Sequence, residues 1–280
     1  MRGKVDQIRM FPVITLTTDF GLHDPFVGIM KGVILSICPS ARLVDLTHDV
    51  APQDILGGAL ALEAGWPYFP EGTVHLAVVD PGVGSARRAL AIRARGHCLV
   101  GPDNGLLTPA LMDAGWRAVA LTAPEYRLAE VSRTFHGRDV FAPAAAYLAA
   151  GVPLERLGPA VTDPVRRPIP RSRLEDGTLI GEVLAVDRFG NLLTSIEAAQ
   201  LVGLPGGRPG AVPVKVPVIV EVADRAVAGP VEAYLDGGDG RPTAIVGSTG
   251  RLEIFVRGAR ADQALGVGRG APVRVRAGEG

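Results

Sequence analysis

"TVHLAVVD" (73–80) is a nearly unbroken apolar run that stops at an acid, and "PGVGSARR" (81–88) turns the chain away from it. The run reads as a buried strand, and its neighbours place that strand in a pattern. Upstream, "FPVITLTTDFG" (11–21) is β-branched and ends at Asp19 and Gly21. "PFVGIMKGVILSIC" (25–38) carries apolar residues at helical spacing, "ARLVDLTHDV" (41–50) returns to strand, and "DILGGALALEAGWPYF" (54–69) is again helical. Downstream, "RALAIRARGHCLVGPD" (88–103) reads as two short strands about Arg95-Gly96, and "DVFAPAAAYLAAG" (139–151) as an Ala-rich helix. Strands and helices in alternation predict an α/β layered domain with a largely parallel sheet.

The pattern breaks at "DPVRRPIPRSR" (163–173), which is rich in proline and arginine, lacks periodicity and reads as an exposed linker. Beyond it, "TLIGEVLAVD" (178–187), "VPVIVEV" (216–222), "PTAIVGS" (242–248), "RLEIFVRG" (251–258) and "APVRVRA" (271–277) are short alternating segments between Gly and Pro. These predict a smaller antiparallel β-barrel. The expected organisation is an N-terminal α/β domain, 1–170, and a C-terminal barrel domain, 171–280, with no internal repeat.

Composition narrows the function classes. The 280 residues carry 29 basic and 29 acidic side chains, so no global field favours nucleic acid or an anionic membrane. No apolar stretch reaches the roughly 20 residues of a membrane span, and no signal peptide is evident. Cys38 and Cys98 form no CxxC pair and read as buried free thiols. A soluble, cytoplasmic protein is expected.

Asp19 and Asp80 each end a strand, and ligands of open α/β sheets collect at the carboxyl ends of strands. Both acids are equally good turn-formers before Gly or Pro. A phosphate loop at "PGVG" is disfavoured, because the following segment alternates like a strand and lacks the Gly-Lys-Ser/Thr ending. Of the five histidines, His75 and His97 fall in strands and read as structural. His136, in "RTFHGRDVF", lies in a polar loop just before a helix, as a cap or a site. Asp19, His23, Asp80 and His136 lack HxH or HExxH spacing, which argues against a metal. In "VDRFGNLLTSI" (186–196), Asp187 and Asn191 suit a polar ligand and Phe189 a flat one, with an ordinary hairpin turn as the alternative.

Taken in order, "TTDFG…DPFVG…KG", "DLTHDV", "VVDPGVGSARR", "VGPDNGLLTPA", "TFHGRD", "DRFGN" and "GSTGRLEI" resemble the S-adenosyl-L-methionine (SAM) hydrolases, or SAM hydroxide adenosyltransferases, relatives of the SAM-dependent fluorinase and chlorinase. The likeness runs from about residue 12 to 268. It implies hydrolysis of SAM to adenosine and L-methionine without a cofactor or metal, in a homotrimer whose active sites lie at subunit interfaces. It assigns the attacking water to Asp80, Arg87 and His136, choosing Arg87 over its neighbour Arg88. It gives Asp19 the ribose diol, Asp187 the methionine ammonium, Asn191 the adenine edge or amino-acid part, and Phe189 a stacking role. Ser248 and Glu253 resemble further ligand contacts. The fluorinase and chlorinase have tyrosine in place of Asp80, and the fluorinase has serine in place of Gly137 and tryptophan in place of Gln53. This chain also departs from the family after "LEI", where Arg257 and Arg260 replace asparagine and small residues. The rival expectations are a chlorinase-like halide adenosyltransferase, an adenosine or SAM sensor with little turnover, and a metal-dependent phosphoesterase.

Overall fold

A computed structural model describes residues 11–204 and 217–278. The chain divides into two compact units between Ile169 and Pro170.

In the first unit the elements run β1 (Val13–Thr18), α1 (Phe26–Ile37), β2 (Arg42–Thr47), α2 (Ile55–Gly65), β3 (Val74–Val78), β4 (Ala89–Ala94), β5 (His97–Pro102), β6 (Arg117–Ala120), α3 (Ala142–Ala149) and β7 (Ala160–Val161). They form one sheet of order β2-β1-β3-β5-β4-β6-β7. Strands β1, β2, β3, β5 and β6 point one way and β4 and β7 the other, so the sheet is largely parallel. The strand β3 lies inside this sheet, and its apolar run has a use for both faces. Val74, Leu76 and Val78 pack with Ile14, Leu16 and the helices α1 and α3, while Ala77 and Val79 join Ile55, Leu62 and Trp66 on the opposite side. Ala142, Ala144, Ala145 and Ala146 of α3 are buried, since small side chains let a helix approach the sheet closely. Tertiary contact with the sheet stabilises such a helix more than its own propensity does.

His75 and His97 are structural, as their sequence context suggests. Thr15 Oγ1 meets His75 Nδ1 at 2.8 Å, His75 Nε2 meets His97 Nδ1 at 3.3 Å, and the Trp66 ring stacks on His97. Residues 163–172 are irregular, yet the first part is fastened rather than loose. Val165 N–H donates to Asp103 (2.7 Å), Arg167 N–H to Thr108 Oγ1 (2.9 Å), and Arg167 Nε to the Asn104 carbonyl (2.9 Å).

The second unit comprises β8 (Arg173–Glu175), β9 (Thr178–Val186), β10 (Leu192–Glu197), α4 (Ala198–Val202), β11 (Val218–Val222), β12 (Arg225–Val231), β13 (Pro242–Val246), β14 (Arg251–Val256), α5 (Ala261–Leu265) and β15 (Pro272–Ala277). Val216, the expected start of the "VPVIVEV" strand, lies outside the described residues. The order β10-β14-β13-β12-β11-β15-β9 closes through a β9–β10 pairing into a seven-stranded barrel, with β8 added beside β9. Its interior is filled by alternate residues such as Val183, Leu192, Val220, Leu252, Ile254 and Val275. The expected antiparallel barrel is observed, with one parallel pair in it, β12 and β13. Parallel neighbours cannot be joined by a tight hairpin, so residues 232–241 form a crossover containing the 3₁₀ turn Tyr234–Asp236.

The buried imidazoles make stability depend on pH. Burial, with repulsion from His97, lowers the His75 pKa to about 3, and burial lowers that of His97. The unfolded chain takes up protons below an ordinary histidine pKa of about 6.5, whereas folded His75 stays neutral until about pH 3. Stability attributable to His75 is therefore intact above about pH 6.5 and declines towards pH 3, by up to roughly 1.4 kcal/mol per pH unit. The fall in Tm between about pH 7.5 and about pH 5 should be smaller in His75→Gln than in the wild type, as measured by calorimetry.

Candidate active site

The register Thr18↔Val78 sets the ends of β1 and β3 side by side, so Asp19 and Asp80 emerge at the same edge of the sheet. Residues 80–88 form a turn knitted by Val83 N–H to the Asp80 carbonyl (3.2 Å), Ser85 N–H to the Gly82 carbonyl (3.1 Å) and Arg87 N–H to Ser85 Oγ (3.3 Å). Gly84 adopts φ +78°, and a Cβ there would lie 2.4 Å from the Arg133 carbonyl. Only glycine lets this turn close against the 132–136 loop.

That close approach brings three predicted residues together. Arg87 Nε donates to Asp80 Oδ1 at 2.9 Å, and Arg87 Nη2 makes a short bond to Asp80 Oδ2. The same Nη2 donates to His136 Nδ1 at 2.7 Å, and the guanidinium lies over the Phe141 ring. The Asp80 and Arg87 side chains are 5% and 10% exposed, so this ion pair is almost removed from water. Burial and then the Arg87 charge hold the His136 pKa below its ordinary value, against the opposing pull of Asp80 and Asp139. A neutral imidazole accepting at Nδ1 carries its proton on Nε2.

His136 is held by a device that its sequence context only hinted at. The expected helix at 139–151 is entered through a wider π turn, Gly137–Phe141, before α3 begins. Such turns recur at functional sites. Asp139 is fully buried; against the upward push of burial, Arg138 and Ser132 hold its carboxyl below the usual range. Its bond from Ser132 N–H (2.8 Å) draws the 132–136 loop over the turn. Phe20, Phe26 and Phe135 meet edge to face and wall a hollow of about 410 Å³, completed by Ser132, Thr134 and Arg138. Phe20 follows Asp19 and Phe135 precedes His136, so the hollow adjoins both. Asp19 itself accepts from the backbone of Gln53 (2.7 Å), whose φ is +66°.

In the barrel, Asp187, Phe189 and Asn191 line a second hollow, of about 690 Å³, with Tyr234, Phe255 and Arg257. Asp187 and Asn191 are also bonded to one another: Asp187 accepts from Asn191 N–H (2.8 Å) and from its Nδ2 (2.9 Å). The hairpin-turn reading thus describes this segment, and its side chains also line the hollow. Phe189 is 75% exposed and free to receive a ring. Glu253 stands behind the hollow, packed on Gly247, and accepts from Tyr234 OH at 3.2 Å. Burial raises its pKa; the Tyr234 bond opposes this and the Asp187 charge adds to it. Ser248 lies apart from this lining, exposed in the β13–β14 turn. Arg257 is tied to Asp239 (2.7 Å) and the Leu235 carbonyl (2.8 Å), and Arg260 to Asp262 (2.9 Å) and the Arg188 carbonyl (3.0 Å).

Tyr234 and Phe255 were missed in the sequence. Phe255 was accessible from alternation, since Leu252, Ile254 and Val256 fill the barrel and leave Glu253 and Phe255 on the other face. Tyr234 gave no such signal, because it sits on the unforeseen crossover. Among the described residues no three His, Cys, Asp or Glu side chains gather as metal ligands, and no helix is long and apolar enough to cross a membrane.

An α/β unit with a carboxylate–guanidinium–imidazole chain at its strand ends, followed by a seven-stranded barrel, defines a narrow class. The family models described as the SAM hydroxide adenosyltransferase N-terminal and C-terminal domains match residues 14–158 and 181–274. The chain belongs to the SAM hydroxide adenosyltransferase family. It is 44% identical over 271 residues to the (R)-S-adenosyl-L-methionine hydrolase of Salinispora tropica, spanning 95% of this chain and 98% of that one. Identity is 45% over 275 residues to the enzyme of the same name from Thermus thermophilus, covering 95% and 100%. A crystal structure of an uncharacterized conserved protein from Thermotoga maritima superposes with a TM-score of 0.85 at 34% identity, covering 94% of this chain and 99% of that one. The fluorinase of an Actinoplanes species is more distant, at 34% over 218 residues and 68% of this chain.

Removing the Arg87 charge takes away a force that lowers the His136 pKa and leaves the Asp80 carboxylate unbalanced beside it. The His136 titration followed by NMR should therefore move to higher pH in Arg87→Gln; an unmoved or lowered midpoint contradicts the Arg87–His136 contact.

Proposed function

We propose that this protein hydrolyses S-adenosyl-L-methionine to adenosine and L-methionine by attack of water on the C5′ carbon. The observation that carries this is the Asp80–Arg87–His136 chain at the strand ends of a SAM hydroxide adenosyltransferase fold. The C5′–S bond breaks as the C5′–O bond forms, and its electron pair leaves on sulfur. Methionine departs as a neutral thioether, so the leaving group needs no general acid and the reaction no cofactor or metal. The difficulty is the nucleophile, because water is weak and must lie in line with the C5′–S bond.

In this reading Asp80 orients the water through its free lone pairs, and Arg87 fixes Asp80. The water oxygen becomes strongly acidic as its bond to carbon forms, so a well-placed carboxylate suffices as acceptor. His136 Nδ1 is already engaged by Arg87, so we assign His136 to holding Arg87 and the proton to Asp80. Asp19 would accept from the two ribose hydroxyls, and the aromatic hollow beside it would keep bulk water from C5′. In the barrel, Asp187 with Glu253 behind it would meet the methionine ammonium. Phe189, Tyr234 and Asn191 would take the flat and polar parts of the substrate, and Ser248 would close on it from its turn.

The relatives' names specify the (R) epimer, and we assign the same preference here. A cytoplasmic protein is supported by the unpaired thiols Cys38 and Cys98. We further propose a homotrimer with active sites completed across subunit interfaces. The exposed apolar side chains Leu22 (71%), Phe189 and Leu235 (79%) support it, since they flank or line the two half-sites.

Purified protein incubated with each SAM epimer in H₂¹⁸O with chloride and EDTA should release 5′-¹⁸O-adenosine and methionine, faster from the (R) form. Asp80→Ala should lower kcat by about 10²–10⁴-fold while still binding adenosine. 5′-Chloro-5′-deoxyadenosine as product would point to the halide reading, and bound but unconverted SAM to the sensor.

Shared sites make a second outcome specific. Asp80→Ala and Asp187→Ala, each inactive alone, should regain about a quarter of wild-type activity when unfolded together and reassembled in equal amounts. Sites contained within one chain would regain none.

A further inference from the structure

The segment "VGPDNGLLTPA" belongs to the family pattern, yet none of its residues enters the proposed chemistry. Its Asp103-Asn104 pair, just past β5, lies against both ends of the 80–88 turn. At the entrance, Asn104 Nδ2 donates to the Val79 carbonyl at 2.9 Å, immediately before Asp80. At the exit, Arg88 Nε donates to Asp103 Oδ2 at 2.6 Å, and Asp103 N–H returns a bond to the Arg88 carbonyl at 3.0 Å. Arg88 reaches further, to the Asp163 carboxylate (2.7 Å) and the Asp163 carbonyl (2.8 Å).

The grip is built to be rigid. The Asp103 side chain is 3% exposed, and its second oxygen accepts from Val165 N–H at 2.7 Å, so both oxygens are engaged. Asn104 Oδ1 accepts from Leu106 N–H at 3.0 Å, which fixes the amide that holds Val79. Arg87 Nη1 also donates to the Arg88 carbonyl, at 3.4 Å, so the same carbonyl ties the reacting guanidinium to the clamp.

We propose that Arg88, Asp103 and Asn104 are positioning residues: the 103–104 pair grips both ends of the 80–88 turn and so sets the spacing and direction of Asp80 and Arg87. Arg88 is suited to this and lysine is not, because a planar fork can span Asp103 and Asp163 at once. The inference rests on the proposed role of Asp80 and Arg87. Its expected signature follows from orientation: a displaced water-holding carboxylate slows the chemical step and leaves substrate binding, made elsewhere, largely intact.

The test compares Arg88→Gln, Arg88→Lys and Asn104→Ala with Asp80→Ala, measuring kcat and KM for SAM. The stoichiometry of adenosine binding by calorimetry gives the fraction of competent sites, so that misfolding is not read as slow chemistry. Arg88→Gln and Asn104→Ala should lose about 10- to 100-fold in kcat per competent site, with KM within about threefold, and Arg88→Lys should recover part of the loss. Unchanged kcat in folded Arg88→Gln, or a loss carried by KM, overturns the clamp. If Arg88→Gln does not fold, Asn104→Ala and Arg88→Lys decide by the same criterion. An active Asp80→Ala would instead overturn the catalytic reading beneath it.

Discussion

A guanidinium and a carboxylate withdrawn from water must satisfy each other, and in this protein the architecture around β3 follows from that requirement. Asp80 and Arg87 are both nearly buried, seven residues apart on one turn. Breaking such a pair by removing one partner leaves a desolvated charge and costs about 3–5 kcal/mol. The turn must therefore fold back on itself, which sets Gly82 and Gly84 between the partners, and a second loop must close over it. Gly84 admits the Arg133 backbone, Asp139 draws that loop inward, and the π turn brings His136 Nδ1 to the guanidinium. Phe141, from the same turn, supplies an apolar and polarisable floor beneath Arg87.

The barrel hollow is organised by the opposite condition, acids whose bonded partners carry no charge. Glu253 is raised by burial and by Asp187, with Tyr234 as its one opposing hydrogen bond. Two neighbouring acids welcome a cation, and the aromatic rings around them favour a flat or positively charged group. The ends of Arg257 and Arg260 do not supply that cation, since each is bonded to its own aspartate. These arginines, which follow "LEI", brace the crossover and the 187–191 turn instead.

Much of this was legible in the sequence, and the gaps have physical reasons. The α/β unit could be read because β3 is buried on both faces and α1 spaces its buried Val27, Met30 and Ile34 at helical intervals. The barrel strands could be read from alternation, but alternation is blind to direction, so the parallel β12–β13 pair and the crossover carrying Tyr234 were missed. Asp80 stood out as an acid ending a buried strand, and His136 as a polar residue before a helix. That they share Arg87 is a tertiary fact no local pattern contains, and only family resemblance preferred Arg87 to Arg88. The structure gives that choice a reason: Arg87 turns inward to Asp80, while Arg88 turns to Asp103 and Asp163. Ser248, chosen by resemblance alone, lies outside the hollow's lining.

The same hydrogen-bond accounting discriminates between nucleophiles. A halide ion arrives without protons and must be received by donors. Arg87 has five N–H groups, and four are committed to Asp80, His136 and the Arg88 carbonyl. What the pair leaves available is chiefly acceptor capacity, the remaining lone pairs of the Asp80 carboxylate. Position 137 offers no side-chain donor, and a Cβ there would lie 3.1 Å from Met30 Sδ and 3.2 Å from the Phe135 ring, so a serine would need them to shift by a few tenths of an ångström. A site with its donors engaged and its acceptors open favours a nucleophile that donates. Water does so and halide does not, which is a stronger reason than net charge, because the Asp80–Arg87 pair is itself neutral overall.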